Sequence, residues 1–528
     1  MTKRIIAVLL TASLMLISGL PALTLSAADV PGANEPAALN RPTGGYQPVY
    51  GIPVDESAAP SKAPSMRKSG GTDLTPPPSR EGRLIFDSLT EGQRQLYMFI
   101  LTLAENLILE EKDFEDAEMS AVAPVTENIS EADALTAYWY FKDNEPQFFW
   151  IHNAYSYSLE GGKLSSFQIL SWYTTDEIAS MQAEIDAAAA EPLAAAVNMP
   201  SDAQKARYFY DWVIKRGTYC NAAVSNPELH RYAFSIYGIA VMGTGVCESY
   251  SELFVYLLGK CGIEAYSING GGHAWSIAYI DGAWYEFDAT WDDAGEVSPY
   301  AYFAITTAVM LNKNHTRAEN NYVILAPVAD TIAIANDFII DGDIVLSGDV
   351  LTKYKGPGGV LYLPDGITAV GDYALRPTYY VDFPLVACVI PEGVTAIDTY
   401  AFYDCTCLES LALPASLVSV GANVFNNTPA LSKVYYSGSA EDYALITIDP
   451  VGNDSFAAAE KLCDFTPLAY QRADYGDADL DSGAAFADIA AMRAAIAAGG
   501  SSAHDLNRDL VVNLRDLLIL RRLIAGVR

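Results

Sequence analysis

The apolar positions of this chain change their period several times. Behind Lys3 and Arg4, an apolar run extends from Ile5 to about Ile17 and then gives way to small residues, with Ser26-Ala27-Ala28 fitting a small-x-small cleavage signal. A run this short behind two cations predicts a secretory signal peptide over 1–28, not a membrane span. Residues 29–80 are rich in Pro, Ser, Gly and Ala with no sustained apolar period, and Pro76-Pro77-Pro78 stiffens them, which predicts a linker. From about residue 84 the pattern becomes that of a folded domain. Segments 96–109, 132–141, 176–197 and 201–215 read as helices, the last with Ser201 as its N-cap. Phe148-Phe149-Trp150-Ile151 predicts the start of a buried strand. Over 247–259, Leu253, Phe254, Tyr256, Leu257 and Leu258 fall at helical spacing. Segments 274–280 and 283–288 predict two strands turned at Asp281-Gly282.

Two internal repeats follow. The stretches 361–375, 388–402 and 411–425 match one another, and their marker prolines Pro364, Pro391 and Pro414 stand 27 and 23 residues apart. Units of this size predict a stacked solenoid, because each buries its apolar face only against the next. In the last 55 residues Asp477-x-Asp479-x-Asp481 recurs as Asp505-x-Asn507-x-Asp509, and Asp488 recurs as Asp516, every pair offset by 28.

Composition narrows the function classes. The 528 residues carry a formal charge of −33, which argues against a nucleic-acid binder and against docking on anionic lipid, since both need clustered Lys and Arg. With 51% hydrophobic and 18% charged residues the chain has material for large cores and room for roughly three domains. Seven Cys are an odd number in an exported chain and too few for a dense disulfide framework, and no CxxC pair points to a zinc ribbon.

The sharpest chemistry lies in 243–293. Gly-Val-Cys247-Glu-Ser-Tyr opens an apolar helix with a thiol, and a helix N-terminus favours a thiolate nucleophile. Gly-Gly-Gly-His273-Ala-Trp opens the next strand, and Trp-Tyr-Glu-Phe-Asp288-Ala-Thr-Trp-Asp-Asp closes its neighbour. Antiparallel pairing would bring His273 beside Asp288, with the imidazole facing the thiol and the carboxylate fixing its tautomer. Singly, each residue is better explained as a buried small hydrophobe, a hydrogen-bonded polar group or a turn cap. Jointly, at gaps of 26 and 15 residues, they point to nucleophilic catalysis.

These motifs resemble the bacterial transglutaminase-like (transglutaminase/protease-like) superfamily over about 130–325. Asn144-Glu-Pro-Gln-Phe-Phe-Trp150, Tyr302-Phe303 and Asn314-His315-Thr316-Arg317 resemble segments flanking the core in clostridial members. The resemblance implies a papain-like fold with Cys247 as nucleophile, His273 as base and acid, and Asp288 as orienter. Relatives often carry Tyr-Asp upstream where this chain has Tyr219-Cys220-Asn221; Tyr219 is retained as a candidate oxyanion donor beside the Cys247 backbone N–H. The chemistry implied is acyl transfer through a Cys thioester, leading to protein crosslinking, deamidation or peptide hydrolysis.

The 335–465 repeats resemble BspA-type leucine-rich repeats of bacterial surface proteins, with three clear units and a closing segment from Val434 to Tyr443. Such a scaffold implies a cell-surface, protein or glycan ligand. The 474–528 tail resembles a type I dockerin, which implies attachment to the cohesin domain of a cellulosome-like scaffold. The resemblance implies calcium on two EF-hand-like loops: Asp477, Asp479, Asp481, the Gly483 carbonyl and Asp488, then Asp505, Asn507, Asp509, the Val511 carbonyl and Asp516. Ser482 and Leu510 stand where the loop turn favours Gly.

The expected architecture is therefore multidomain α+β. A signal peptide (1–28) and linker (29–80) precede an N-terminal extension plus papain-like transglutaminase core (84–325, core 200–310). A short leucine-rich-repeat solenoid (335–465) and a small all-α dockerin (474–528) follow. The expected function is a secreted, scaffold-attached cysteine acyltransferase or hydrolase with no cofactor for catalysis. The alternative is a catalytically silent adhesion or binding protein on the same scaffold. A glycosidase is a third option without a paired-carboxylate motif to support it.

Overall fold

The computed structural model describes residues 50–53, 82–106, 109–114, 117–120, 123–124, 129–293, 300–317, 327–333, 335–340, 342–377 and 384–465. The segments expected to be a signal peptide and a dockerin, and most of the expected linker, lie outside them. Among the described residues no helix is long and apolar enough to cross a membrane.

Several of the helices begin where side chains cap them. Thr90 and Ser130 form capping boxes with Gln93 and Asp133 at the starts of α1 (Glu91–Glu105) and α2 (Glu131–Asn144). The long hairpin of β1 (Ile151–Glu160) and β2 (Lys163–Ser171) follows. The segment read as a strand start first makes a short 3-10 turn, Pro146–Phe148, and extends only from Ile151. A part of the expected linker is also structured, since Tyr50–Pro53 pairs in parallel with β1. Next come α3 (Thr175–Ala196) and α4 (Asp202–Arg216), where the Ser201 hydroxyl accepts the Gln204 N–H at 3.1 Å.

The centre of the domain is α5 (Cys247–Lys260) against an antiparallel sheet of β3 (Ala265–Gly270), β4 (His273–Ile280) and β5 (Ala283–Phe287), with β4 in the middle. Every α5 residue from Cys247 to Leu258 is buried, so this helix is walled in on all sides rather than amphipathic. The β4–β5 turn places both Asp281 and Gly282 at positive φ, 47° and 92°, the geometry that matches a two-residue hairpin to strand twist. The short helix α6 (Thr307–Asn312) leads into a strap that includes residues 313–317.

The solenoid consists of two sheets of parallel strands, the first edged by an antiparallel strand, Ile344–Ser347. One carries β6 (Val350–Tyr354), β8 (Ala369–Val370), β10 (Ala396–Ile397), β12 (Ser419–Val420) and β14 (Thr447–Ile448). The other carries β7 (Gly359–Tyr362), β9 (Leu385–Val389), β11 (Ser410–Leu413), β13 (Lys433–Tyr436) and β15 (Glu460–Leu462). Leu361, Cys388, Leu411 and Val434 stand in register through successive coils. The start of the stretch 434–443 is a strand of the stack, since Lys433–Tyr436 pairs with β11 on one side and β15 on the other, and the stretch ends in a short helix, Ala440–Tyr443. A stack of Phe402, Phe425 and Phe456, with centroids 5.4 and 4.6 Å apart, runs along the core. The buried Arg207 of α4 ties the two parts together, donating to Asp343 Oδ2 at 3.0 Å, to the Phe338 carbonyl and to Tyr300 Oη.

Candidate functional site

The candidate site lies where the start of β4, the end of β5 and the strap after α6 meet. His273 Nε2 is 2.7 Å from Asp288 Oδ2, which realises the pairing expected from the antiparallel strands. The other carboxylate oxygen, Oδ1, accepts the backbone N–H groups of Thr290 and Trp291 at 2.9 and 3.1 Å. A group that the spacing does not assign completes the set: His315 Nε2 also lies 2.7 Å from Asp288 Oδ2. Four donors converge on one carboxylate, which fills its lone-pair directions.

Cys247 opens α5 with no exposed surface. Its thiol acts on the His273 ring, but no hydrogen bond of ordinary length joins them, since His273 Nδ1 is buried without a partner. Among the described residues the tight cluster is therefore His273, Asp288 and His315, with Cys247 adjoining the free nitrogen. Tyr219 is half-buried, forms an isolated parallel bridge to Gly245, and senses both Cys247 and Asp288. Burial and then those two neighbours raise its pKa.

The electrostatics follow from burial and pairing. Burial alone would lower the His273 pKa, but Asp288 and Cys247 outweigh it and raise it to about 10. Burial pushes the Asp288 carboxyl up, yet His273 and His315 hold it well below the usual carboxylate range. Asp292, further along the same loop, is pushed up to about 7 by burial despite accepting from Tyr210 Oη at 2.7 Å and from the Tyr302 N–H at 3.0 Å.

The glutamate of the Trp-Tyr-Glu-Phe-Asp motif is a brace. Glu286 accepts Trp275 Nε1 at 2.7 Å on Oε2, and on Oε1 it takes Arg317 Nη2 at 2.7 Å and the Thr307 hydroxyl. Arg317 thereby pins the strap that carries His315. Trp291 covers both imidazoles, its ring centroid 5.4 Å from His273 and 4.4 Å from His315. Beneath α5, Lys142 lies 3.9 Å from Glu252 in a buried group with Asp143 and Glu248. Burial, followed by the charge of Glu252, raises the Glu248 pKa well above its usual value.

His273, Asp288 and His315 are also the grouping among the described residues whose ligand atoms could share a metal ion. A tetrahedral ion at about 2.0–2.1 Å from each nitrogen would need both Nε2 protons to leave and the 2.7 Å separations to widen. The hydrogen-bonded arrangement already satisfies every atom of the carboxylate. The ten residues expected to hold calcium, from Asp477 to Asp516, lie outside the described residues.

Residues 188–289 match the Transglutaminase-like superfamily, and 361–465 match six copies of the BspA type Leucine rich repeat region. The chain carries a transglutaminase-like domain followed by BspA-type repeats. No curated protein matches it. A leucine rich cell surface protein from Faecalibacterium prausnitzii A2-165 is similar at 23% identity over 19% of this chain and 32% of that one, with a TM-score of 0.16. A TGase is similar at 14% identity over 32% of this chain and 50% of that one, with a TM-score of 0.19. The Leucine Rich Repeat protein of T. pallidum is similar at 19% identity over 24% of this chain and 64% of that one, with a TM-score of 0.15. This chain thus spans a third and a half of the first two.

Proposed function

We propose that the domain is a cysteine-dependent acyl-transfer enzyme, with Cys247 as nucleophile, His273 as base and acid, and Asp288 as the group that orients the imidazole. One observation carries the reading. His273 is bound to Asp288 through Nε2, which leaves its buried, unpartnered Nδ1 beside the Cys247 thiol. That is the disposition a base needs to take the thiol proton.

In the proposed reaction the thiol proton already sits on His273 Nδ1, whose pKa is raised to about 10, and the Cys247 thiolate attacks a glutamine side-chain amide or a peptide carbonyl. The oxyanion forms beside the Cys247 backbone N–H, a first-turn donor with no helical acceptor, and Tyr219 is the candidate second donor. Collapse breaks the C–N bond, and His273 returns the proton to the leaving ammonia or amine. An amine or water then attacks the thioester with His273 again taking a proton, giving crosslinking, deamidation or hydrolysis.

Labelling the full chain with iodoacetamide at neutral pH, with Cys247→Ala as control, tests this directly, followed by incorporation of an amine donor into glutamine-bearing protein. Cys247 should be modified first. Cys388 and Cys405 are poor competitors, because burial in the solenoid core pushes both thiols up. Equal labelling of Cys220 or Cys261 would overturn the assignment.

The complete burial of Cys247 favours a second reading, in which the domain is a silent binding scaffold. A native chain whose Cys247 resists alkylation would support it. We also propose, from the sequence, that the chain is secreted and displayed through its dockerin-like tail on a cohesin-bearing scaffold, with calcium in the tail loops. The repeats would contribute a surface for a cell-surface, protein or glycan ligand.

A further inference from the structure

The hydrogen bonds of His315 fix where its protons sit. Nδ1 lies 3.0 Å from the Lys313 carbonyl oxygen, which can only accept, so Nδ1 carries a hydrogen. Nε2 lies 2.7 Å from Asp288 Oδ2, and two lone pairs cannot sit at that distance, so a proton lies between them as well. Oδ2 also faces His273 Nε2 at 2.7 Å and Oδ1 accepts the Thr290 and Trp291 N–H groups, so both oxygens act as acceptors of an ionised carboxylate and that proton sits on the ring.

We propose that His315 is a positioning residue of the Cys247–His273–Asp288 assembly: a doubly protonated imidazolium that pins Asp288 and offsets its charge. The catalytic half of this statement rests on the acyl-transfer reading. The protonation half does not.

The surroundings suit a fixed cation. The ring is fully enclosed, with Trp275, Trp291 and Tyr302 at centroid distances of 5.1, 4.4 and 5.3 Å. The titratable groups packed against it are His273 from β4, Asp288 at the end of β5 and Tyr302. The Lys313 ammonium lies over Tyr302. The Glu286–Arg317 pair anchors the strap two residues on.

The consequence for chemistry is a matter of sign. With His315 cationic, the Asp288–His315 pair is neutral overall, so the pull of the carboxylate on the His273 proton is partly offset. Removing the His315 charge leaves a net negative carboxylate beside His273, at a ring separation of 5.3 Å from the lost cation. Loss of a nearby cation makes every neighbouring group harder to deprotonate. In a partly buried setting the effect at this range is on the order of one pH unit or more.

The test uses the full chain with 15N-labelled histidine and compares the native protein with His315→Gln and His315→Ala. Gln keeps a donor toward Asp288 but not the charge, and Ala keeps neither. Ring-nitrogen NMR of the native protein should show His315 with both nitrogens protonated at neutral pH; a neutral, singly protonated ring would overturn the proposal. The pH–rate profile of Cys247 alkylation should move upward by about one unit or more in His315→Gln while its circular dichroism is retained. A profile in His315→Gln that coincides with the native one would show that the charge has no role, leaving only packing. If native Cys247 proves unreactive, the acyl-transfer reading fails, while the NMR result still decides the protonation of His315.

Discussion

Replacing Asp288 by Asn is an isosteric change with a directional effect on the two imidazoles. The native Oδ2 accepts from His273 and His315, each at 2.7 Å, while Oδ1 holds the Thr290 and Trp291 N–H groups. The Asn carbonyl keeps the backbone pair, because turning it over would aim N–H at N–H. Its amide then presents two hydrogens where Oδ2 stood. His315, with its Nδ1–H committed to the Lys313 carbonyl, adapts by becoming neutral and accepting at Nε2. His273 must also accept at Nε2, and its remaining hydrogen moves to Nδ1, the nitrogen beside Cys247. The proposed base is thereby switched to the tautomer that cannot take the thiol proton. General base assistance is worth about 10²–10⁴-fold, and a carboxylate-to-amide change that imposes the wrong tautomer costs about 10⁴-fold in a serine-protease triad. Alkylation of Cys247 at pH 7 should therefore fall by about 10²-fold or more, and amine incorporation by more than alkylation. Lost charge-assisted hydrogen bonds should cost about 2–3 kcal/mol of stability. The assay is the iodoacetamide rate across pH, with thermal unfolding as the control for folding. A folded Asp288→Asn protein that alkylates within about threefold of native at every pH would refute the tautomer argument.

Stability should vary with pH through His273, whose folded pKa of about 10 exceeds its ordinary 6.5. The stabilisation is fully present below about 6.5 and is lost as pH rises through 10, so denaturant midpoints should fall across that window in the native chain and much less in His273→Gln. In the solenoid, Phe425→Ala removes the middle ring of a three-phenylalanine stack and should cost about 3–5 kcal/mol, read from chemical denaturation; a loss below about 1 kcal/mol would mean the coils close over the gap. Calorimetry with calcium should show heat for the full chain that disappears when it is truncated after residue 465, with Asp479→Ala weakening binding more than Asn507→Ala; equal losses would contradict the expectation that the more acidic first loop is the stronger.

Much of the central domain could be read from pattern. The apolar spacing of 247–259 yields α5, and Asp281-Gly282 yields the β4–β5 turn because both positions tolerate positive φ. His273 beside Asp288 follows from pairing the two strands. The errors have physical causes. Pro146 favours a tight first turn, so the apolar residues after it enter a 3-10 helix before the strand begins. The strand at 433–436 lacks the marker proline, and only the register of Val434 with Leu411 on one side and Lys461 on the other shows that the stack continues through it. His315 sits 27 residues beyond Asp288, and no local spacing rule links a strap to a strand end. Its motif was visible as part of a family resemblance, but its role required the fold.

The geometry around Asp288 has a simple origin in strand alternation. Glu286 and Asp288 are two residues apart, so they point to the same side of β5 and its extension. His273 and Trp275 are two apart on β4, and His315 and Arg317 are two apart on the strap. Each acid therefore takes one partner from each neighbour: Asp288 holds His273 and His315, while Glu286 holds Trp275 and Arg317. The Glu286 set is the brace that fixes the spacing of the Asp288 set. Shifting the register of β5 by one residue would turn both acids away, leave two imidazole Nε2 groups and an indole N–H buried without their acceptors, and strip the part-buried Arg317 of its carboxylate, with only the Pro327 carbonyl and Thr307 hydroxyl to replace it. Burying unpaired polar and charged groups costs several kcal/mol in total. The register that stabilises the fold is thus the same one that aims His273 Nδ1 at Cys247, and for that reason changes at Glu286, which touches neither, should disturb the reactivity of the thiol through His315 and the strap.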